Sequence, residues 1–163
     1  MTEQDNVFMQ MVEFDMGDAK RIQHFTKVYT YASLIGKGEG LDSRQLRILE
    51  LAAIVHDIGI RPSEEKYGYQ NGKLQEEMGP SYARKLLERA GIGEEEIQRV
   101  EFLVGHHHTY QNVDASDWQI LLEADFIVNS FEEGMPLEKI KNAMEKIFRT
   151  KTGKYLCSSM YGL

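Results

Sequence analysis

The sequence has little cysteine and little proline: one cysteine, Cys157, and three prolines among 163 residues. A single cysteine excludes an internal disulfide and is typical of a reducing compartment. No apolar run approaches the roughly 20 residues that span a bilayer. Residues 1–5 lack the basic charge that opens a secretion signal. These absences predict a cytoplasmic protein that does not insert into a membrane.

Basic residues are also fewer than acidic residues in this sequence. The chain has 19 lysines and arginines against 26 aspartates and glutamates, which gives a formal net charge of −7. Binding a long nucleic acid or an anionic membrane surface requires a basic face, so neither partner is expected. A small anionic substrate remains compatible, because a few local cations or a metal ion can outweigh the net charge. The sequence leaves open whether the chain is a monomer or a homodimer.

Apolar residues recur at intervals of three and four along almost the whole chain, and no alternating strand pattern competes with them. This periodicity predicts an all-α, single-domain bundle of about seven helices. We expect an N-terminal extension or extra helix over residues 1–17 and a helical domain over 18–150. A C-terminal tail over 151–163 is expected to pack on that domain.

Proline and glycine predict a loop and a helix start between the apolar stretches. The segment 61–73 is polar and contains Pro62 and the pair Asn71-Gly72, which predicts a long loop of the kind that forms lids. Pro80 is expected in the first turn of the next helix, where proline is tolerated.

The pair His56-Asp57 comes directly after the apolar stretch 48–55, which predicts a buried helix. An ionised aspartate in such surroundings must be paired, hydrogen-bonded or bound to a metal. The alternative to a metal is a hydrogen bond between the two side chains at the helix end, where Gly59 turns the chain.

Two further polar residues are predicted to face the core from other helices. His24 lies beside the apolar face of an earlier helix, and Asp125 shares a face with Leu121 and Leu122. Each alone is compatible with an ordinary buried and hydrogen-bonded side chain. Together with His56-Asp57 they supply two imidazoles and two carboxylates, a set that suits Mn, Fe, Co, Ni or Zn.

The order of these residues resembles the HD-domain superfamily of metal-dependent phosphohydrolases. His24, the pair His56-Asp57 and the distant Asp125 match its motif, and the similarity extends over roughly residues 18–150. The resemblance implies a helical bundle that holds one divalent metal through His24, His56, Asp57 and Asp125.

The run His106-His107-His108 is the next candidate site. Neighbouring residues of a helix diverge by about 100°, so all three rings cannot face one pocket. We expect His108 to be solvated. The resemblance places His106 where two-metal relatives have an additional ligand, and His107 is expected to assist it.

Those relatives have one more histidine near the start of the fourth helix, which this sequence lacks. No histidine lies between positions 56 and 106, and Gln75, Glu76 or Met78 occupies that neighbourhood. A second metal bound through His106 therefore stays open. A mononuclear centre, in which His106 or His107 contacts the substrate, is the simpler hypothesis.

Substrate-binding residues are sought in the predicted loop. Arg61 and Lys66 are candidates to bind a phosphate group, although they are equally compatible with solvated loop charges. Tyr67, Tyr69 and Tyr110 offer rings for a base or a sugar, or simply cover the core.

Together with these residues, the resemblance implies a metal-dependent hydrolase of a small phosphorylated metabolite, such as a nucleotide phosphomonoester. Asp57 would bind the metal and orient the attacking water. His106 or His107 would stabilise negative charge or protonate the leaving oxygen. Two alternatives remain: an iron-dependent oxygenase on the same fold, and a non-catalytic binding module with a structural metal.

Overall fold

The computed structural model describes all residues, 1–163, and contains nine α-helices and no strand. The prediction of an all-α protein is confirmed, although the helices number nine instead of about seven. None of them combines the length and the apolar character needed to cross a membrane. In chain order the helices are α1 (Glu3–Phe14), α2 (Ala19–Gly38), α3 (Ser43–Val55), α4 (Ile60–Tyr67), α5 (Gly72–Arg89), α6 (Glu94–Val104), α7 (Ser116–Glu132), α8 (Leu137–Ile147) and α9 (Lys151–Tyr161).

Aspartates define where two central helices begin. The Asp18 carboxylate accepts a hydrogen bond from Arg21 N at 3.1 Å and caps α2. Asp42 accepts from Gln45 N at 2.8 Å and caps α3. An N-cap satisfies a backbone N–H that the helix itself leaves unpaired. The caps therefore set the position of α2, which carries His24, and of α3, which leads to the His56-Asp57 pair.

Helices α3 and α7 form the centre of the bundle. Every residue of 48–55 and of 118–128 is buried, and α2 packs against both helices. A helix that is apolar on nearly all sides gains most by such central placement. Because α2, α3 and α7 meet one another, polar residues on their facing sides are brought together inside the core.

The predicted loop over 61–73 is wrong, because most of it is helical. Helix α4 ends at Gly68, whose φ of +78° suits glycine, and Asn71 caps α5 by accepting from Leu74 N at 2.9 Å. Pro62 lies in the first turn of α4, where its missing N–H costs nothing. The turn and cap residues therefore mark the ends of two helices and only a short connection between them.

The position predicted for Pro80 is also wrong. This proline lies inside α5, which begins at Gly72, instead of in a first turn. The part of α5 before this proline packs closely on the turn after Asp57: a Cβ on Gly59 would lie 2.8 Å from Gln75 O and 2.8 Å from Gly79 N. The backbone of α5 thus directly contacts the turn after Asp57, and this contact brings Gln75 close to the polar residues of the core.

The two ends of the chain are helical and pack on the bundle. In α1, Val7 and Met11 are fully buried against the core. In the connection to α9, Arg149 N and Thr150 N donate to the fully buried Glu123 of α7 at 2.7 and 3.1 Å. The division at residues 17 and 150 stays a prediction.

Candidate metal centre

Four polar side chains meet in the core, and they are the four that the sequence singles out as metal ligands. His24 Nε2 lies 3.2 Å from His56 Nε2, 3.2 Å from Asp57 Oδ2 and 3.1 Å from Asp125 Oδ1. His56 Nε2 lies 3.4 Å from each of the same two carboxylate oxygens. Helices α2, α3 and α7 therefore bring the predicted set to a single point.

The outer ring nitrogens fix how the two imidazoles are oriented. His56 Nδ1 donates to Ala53 O at 2.7 Å, because a carbonyl oxygen can only accept. His24 Nδ1 donates to Glu132 Oε1 at 2.9 Å, and Lys27 Nζ lies 3.2 Å from the same oxygen. Each ring therefore directs Nε2 toward the carboxylates, which is the usual arrangement of metal-binding histidines. No sequence pattern indicated Glu132, which is 108 residues from His24.

Burial and the neighbouring charges shift the pKa values of the residues in this cluster. Burial opposes protonation of both rings, but Asp125 and Asp57 beside them raise the pKa of His24 to about 11 and that of His56 to about 10. Burial likewise opposes ionisation of Asp57, yet the adjacent His56, His107 and His24 hold its pKa well below the usual range. The two carboxylates thus demand positive charge at this point.

A divalent cation fits this demand better than protons do. His24 Nε2 and His56 Nε2 face each other at 3.2 Å, so protons on both atoms would oppose one another. The buried Asp125 Oδ1 lies 3.1 Å from His24 Nε2 but forms no well-aligned hydrogen bond. One cation between these atoms would satisfy both nitrogen lone pairs and both carboxylates, and this mixed donor set suits a first-row transition metal.

A second group of potential ligands adjoins the first. Asp57 Oδ1 lies 3.3 Å from the fully buried His107 Nε2, and the ligand atoms of Asp57, His107 and His108 lie within 4.8 Å of one another. Gln75 Oε1 lies 3.1 Å from His107 Nε2 and 2.6 Å from His108 Nε2. The side-chain amide of Gln75 therefore already contacts both rings.

Of the three consecutive histidines, His106 lies outside the cluster, which corrects its predicted placement. Its Nδ1 donates to Phe102 O at 2.7 Å, and its ring stacks on that of Phe102 with centroids 4.1 Å apart. The edge of Trp118 covers it from another side. His107 points inward instead, and His108, expected in solvent, is half-buried at the wall of the cleft.

The cluster opens into a cleft of about 350 Å³. The only apolar residue in its lining is Ile60, and its cations outside the cluster are Lys20 and Arg21 at the start of α2. Both come three or four residues before His24, the spacing that places residues on the same helix face. The lining consists of Asp18, Lys20, Arg21, His24, Asp57, Ile60, Gln70, Gln75, His108, Asp125, Asn129, Glu132 and Glu133.

The two cations predicted to bind substrate do not line this cleft, which corrects their predicted placement. Arg61 donates to Phe14 O, lies 3.6 Å from Glu65 and lines a separate, neighbouring pocket. The Lys66 ammonium lies over the ring of its neighbour Tyr67, 5.1 Å from the centroid. Because 61–73 is largely helical and not a lid, these side chains are held away from the cluster.

Comparisons with known proteins agree with this geometry. A model of the HD domain family matches residues 21–145. The chain belongs to the HD domain family. This HD domain also resembles the crystal structure of a predicted HD superfamily hydrolase from an uncultured Thermotogales bacterium, with a TM-score of 0.65 and 24% identity. The likeness covers 98% of this chain and 84% of the other and concerns the fold. No curated protein matches the sequence significantly.

Proposed function

We propose that this HD domain is a metal-dependent phosphohydrolase that acts on small phosphorylated metabolites. The observation that carries the proposal is the convergence of His24, His56, Asp57 and Asp125 beneath a polar cleft. Lys20 and Arg21 add positive charge at the same cleft, despite a net charge of −7 for the chain. The lining also contains five carboxylates, so attraction of an anionic group would depend on a cation held by the cluster together with these two side chains.

The four clustered side chains would hold one divalent ion, such as Mn, Fe, Co, Ni or Zn. When bound, the ion would polarise a phosphoryl oxygen and lower the pKa of a water molecule. A single ion is favoured because Gln75 Oε1 contacts both His107 Nε2 and His108 Nε2, the two ring nitrogens on which a second ion would depend.

The protein's own groups supply orientation and charge. Asp57 Oδ2 faces the two histidines of the cluster and Oδ1 faces His107, so the carboxylate is held from both sides. It is still 19% exposed, so it can orient an attacking water in the cleft. His107 Nδ1 donates to Val104 O at 2.7 Å, which fixes the ring with Nε2 3.3 Å from Asp57 Oδ1.

The two cations of the cleft differ in how firmly they are held. Arg21 lies 3.2 Å from Asp18 and 2.7 Å from Glu64, and these carboxylates fix its guanidinium. Lys20 is exposed and forms no ion pair, so its ammonium is available for a phosphate oxygen. We therefore assign the phosphate contact to Lys20, with Arg21 as a fixed charge beside it.

The decisive experiment compares Asp57→Ala with Asp114→Ala, which removes an exposed aspartate outside the cluster. Both variants and the parent protein are loaded separately with Mn, Fe, Co, Ni, Zn and Mg. Metal content, circular dichroism, thermal stability, oxygen uptake and phosphate release from a panel of phosphomonoesters are then measured. We expect Asp57→Ala to retain its helices but lose bound metal and turnover, while Asp114→Ala keeps both.

Three outcomes would contradict the proposal. Full turnover by a folded Asp57→Ala variant would show that the cluster is not the catalytic centre. Iron-dependent oxygen uptake without phosphate release would favour an oxygenase. Strong thermal stabilisation by metal, with no turnover of any ester, would favour a binding module.

A further inference from the structure

The residues that line the cleft determine which chemical groups it can bind beyond the phosphate of a substrate. Ile60 is the one apolar residue of the lining, and the only aromatic rings there are the imidazoles of His24 and His108. Proteins usually hold a nucleobase by stacking it on an aromatic or apolar surface. This cleft offers no such surface outside the polar cluster itself.

The tyrosines near the cleft do not supply this surface. Tyr67 and Tyr69 are 46% and 57% exposed and pair with each other, with ring centroids 6.5 Å apart. Burial, together with the charge of Asp125, raises the pKa of the Tyr110 hydroxyl, so this tyrosine approaches the cluster with its polar end and not with the face of its ring. None of the three lines the cleft.

Two polar side chains at the C-terminal end of α7 instead line the cleft without a side-chain partner. Asn129 comes one helical turn after Asp125, and Glu133 comes one turn after Asn129, just past the last residue of α7. Neither the Asn129 amide nor the Glu133 carboxylate forms a side-chain hydrogen bond or an ion pair. An amide both donates and accepts, and a carboxylate accepts, so together they match the hydroxyl groups of a substrate.

Lys20 and Asn129 bracket the cluster in a similar way. Lys20 precedes His24 by four residues on α2, and Asn129 comes four residues after Asp125 on α7. Each therefore lies one turn from a residue of the cluster, at the edge of the same cleft. A molecule with its phosphate at the cluster and near Lys20 would direct its remaining atoms toward Asn129 and Glu133.

From these contacts we infer the substrate class: small hydroxylated phosphomonoesters, such as sugar or polyol phosphates, in preference to nucleotides. Asn129 and Glu133 would determine this specificity by hydrogen bonding to substrate hydroxyls. The inference rests on the proposed phosphohydrolase function, and it replaces the nucleotide phosphomonoester that the sequence alone suggested.

Two matched substrate pairs test the inference on the metal-loaded parent protein. Ribose 5-phosphate and AMP share a 5-phosphoribosyl group, and only AMP carries a base. A stacked base would raise kcat/KM for AMP by roughly 10- to 100-fold, whereas we expect kcat/KM for ribose 5-phosphate to be at least as high. Glycerol 1-phosphate and n-propyl phosphate differ only in two hydroxyls, and we expect kcat/KM to be about tenfold higher for the glycerol ester.

A variant then assigns the hydroxyl contacts. Asn129→Leu keeps a similar volume but removes the hydrogen-bonding groups, and Asn142→Leu makes the same change at an exposed position of α8 outside the cleft. We expect Asn129→Leu to lower the glycerol-to-propyl ratio several-fold, mainly through KM for the glycerol ester, with the Glu133 contact retained. We expect Asn142→Leu to keep the parent ratio.

The outcomes separate this inference from the proposed function. If phosphate is released but AMP is clearly preferred to ribose 5-phosphate, the hydrolase stands and the substrate class is wrong. An unchanged glycerol-to-propyl ratio in a folded Asn129→Leu variant would also overturn the inference. If no ester is hydrolysed, the inferred substrate class is tested by ligand binding, measured as the thermal shift of the Mn-loaded protein. Greater stabilisation by ribose 5-phosphate than by AMP supports the hydroxyl contacts, and the reverse refutes them.

Discussion

Glu132 offers a sharp test of how the centre is built, because it contacts the cluster without belonging to it. Its carboxylate accepts from His24 Nδ1 at 2.9 Å and thereby directs His24 Nε2 toward Asp57 and Asp125. Removing such an outer partner of a metal-binding histidine weakens metal affinity by about 10- to 100-fold. We expect a loss in this range for Glu132→Ala and a smaller one for Glu132→Gln, which can still accept the hydrogen bond.

This loss of metal affinity corresponds to a smaller free energy of unfolding for the metal-loaded protein. At saturating metal, a tenfold weaker Kd removes about 1.4 kcal/mol of metal-dependent stabilisation. For a domain of this size, that corresponds to a melting temperature roughly 3 to 6 °C lower in the metal-loaded state. The quantity to compare is the increase in Tm on adding metal, because the substitution also changes the stability of the metal-free protein.

The assay is a metal titration by chelator competition, combined with thermal melts with and without metal. Glu145→Ala is the control, since Glu145 is exposed on α8 and forms no ion pair. If Glu132→Ala binds metal as tightly as Glu145→Ala, within about twofold, then Glu132 does not orient His24 for metal binding.

Three further predictions concern charge and packing. Burial raises the pKa of Asp15 from 3.8 to about 6. At about 1.4 kcal/mol per pKa unit, ionisation of Asp15 lowers the stability of the folded state by up to roughly 3 kcal/mol above pH 6 and has no effect below pH 4. Urea unfolding should therefore show Asp15→Asn more stable than the parent protein at pH 7.5 and equal to it near pH 4, and a pH-independent difference would contradict this. A Cβ on Gly153 would overlap the buried Glu123 carboxylate, so Gly153→Ala should destabilise the folded protein by about 1–3 kcal/mol in the same assay. The control Gly93→Ala should change stability far less, because a Cβ there meets nothing within 4 Å. Lys20→Met should raise KM for phosphate esters about tenfold with little change in kcat, and an unchanged KM would remove Lys20 from the phosphate contact.

Much of the architecture could be predicted from local pattern. Apolar spacing specified the long central helices, and Asp18 and Asp42 cap the helices that the spacing predicts after them. The segment 61–73 could not be predicted in this way, because a short helix with exposed polar residues has no apolar stripe. Its cap residues, Gly68 and Asn71, are also typical loop residues, so their identity alone does not distinguish two helix ends from one long loop.

The histidine run shows a different limit. The rotation of about 100° per residue requires the three rings to diverge, and the sequence alone shows this. Which ring faces inward depends on the helices that pack around 106–108. Here Phe102 and Trp118 hold His106 outside the cluster, while His107 is directed to Asp57.

The sequence by itself determined the kind of chemistry: two histidines and two aspartates on three apolar helices must meet a cation or lose their charge, since the core does not solvate them. Only the tertiary structure decided which residues surround that point. Glu132 supports His24 from 108 residues away, and Lys20 lines the cleft in place of Arg61. Helical periodicity defines a residue's direction relative to its own axis, whereas a site depends on how several axes are placed relative to one another.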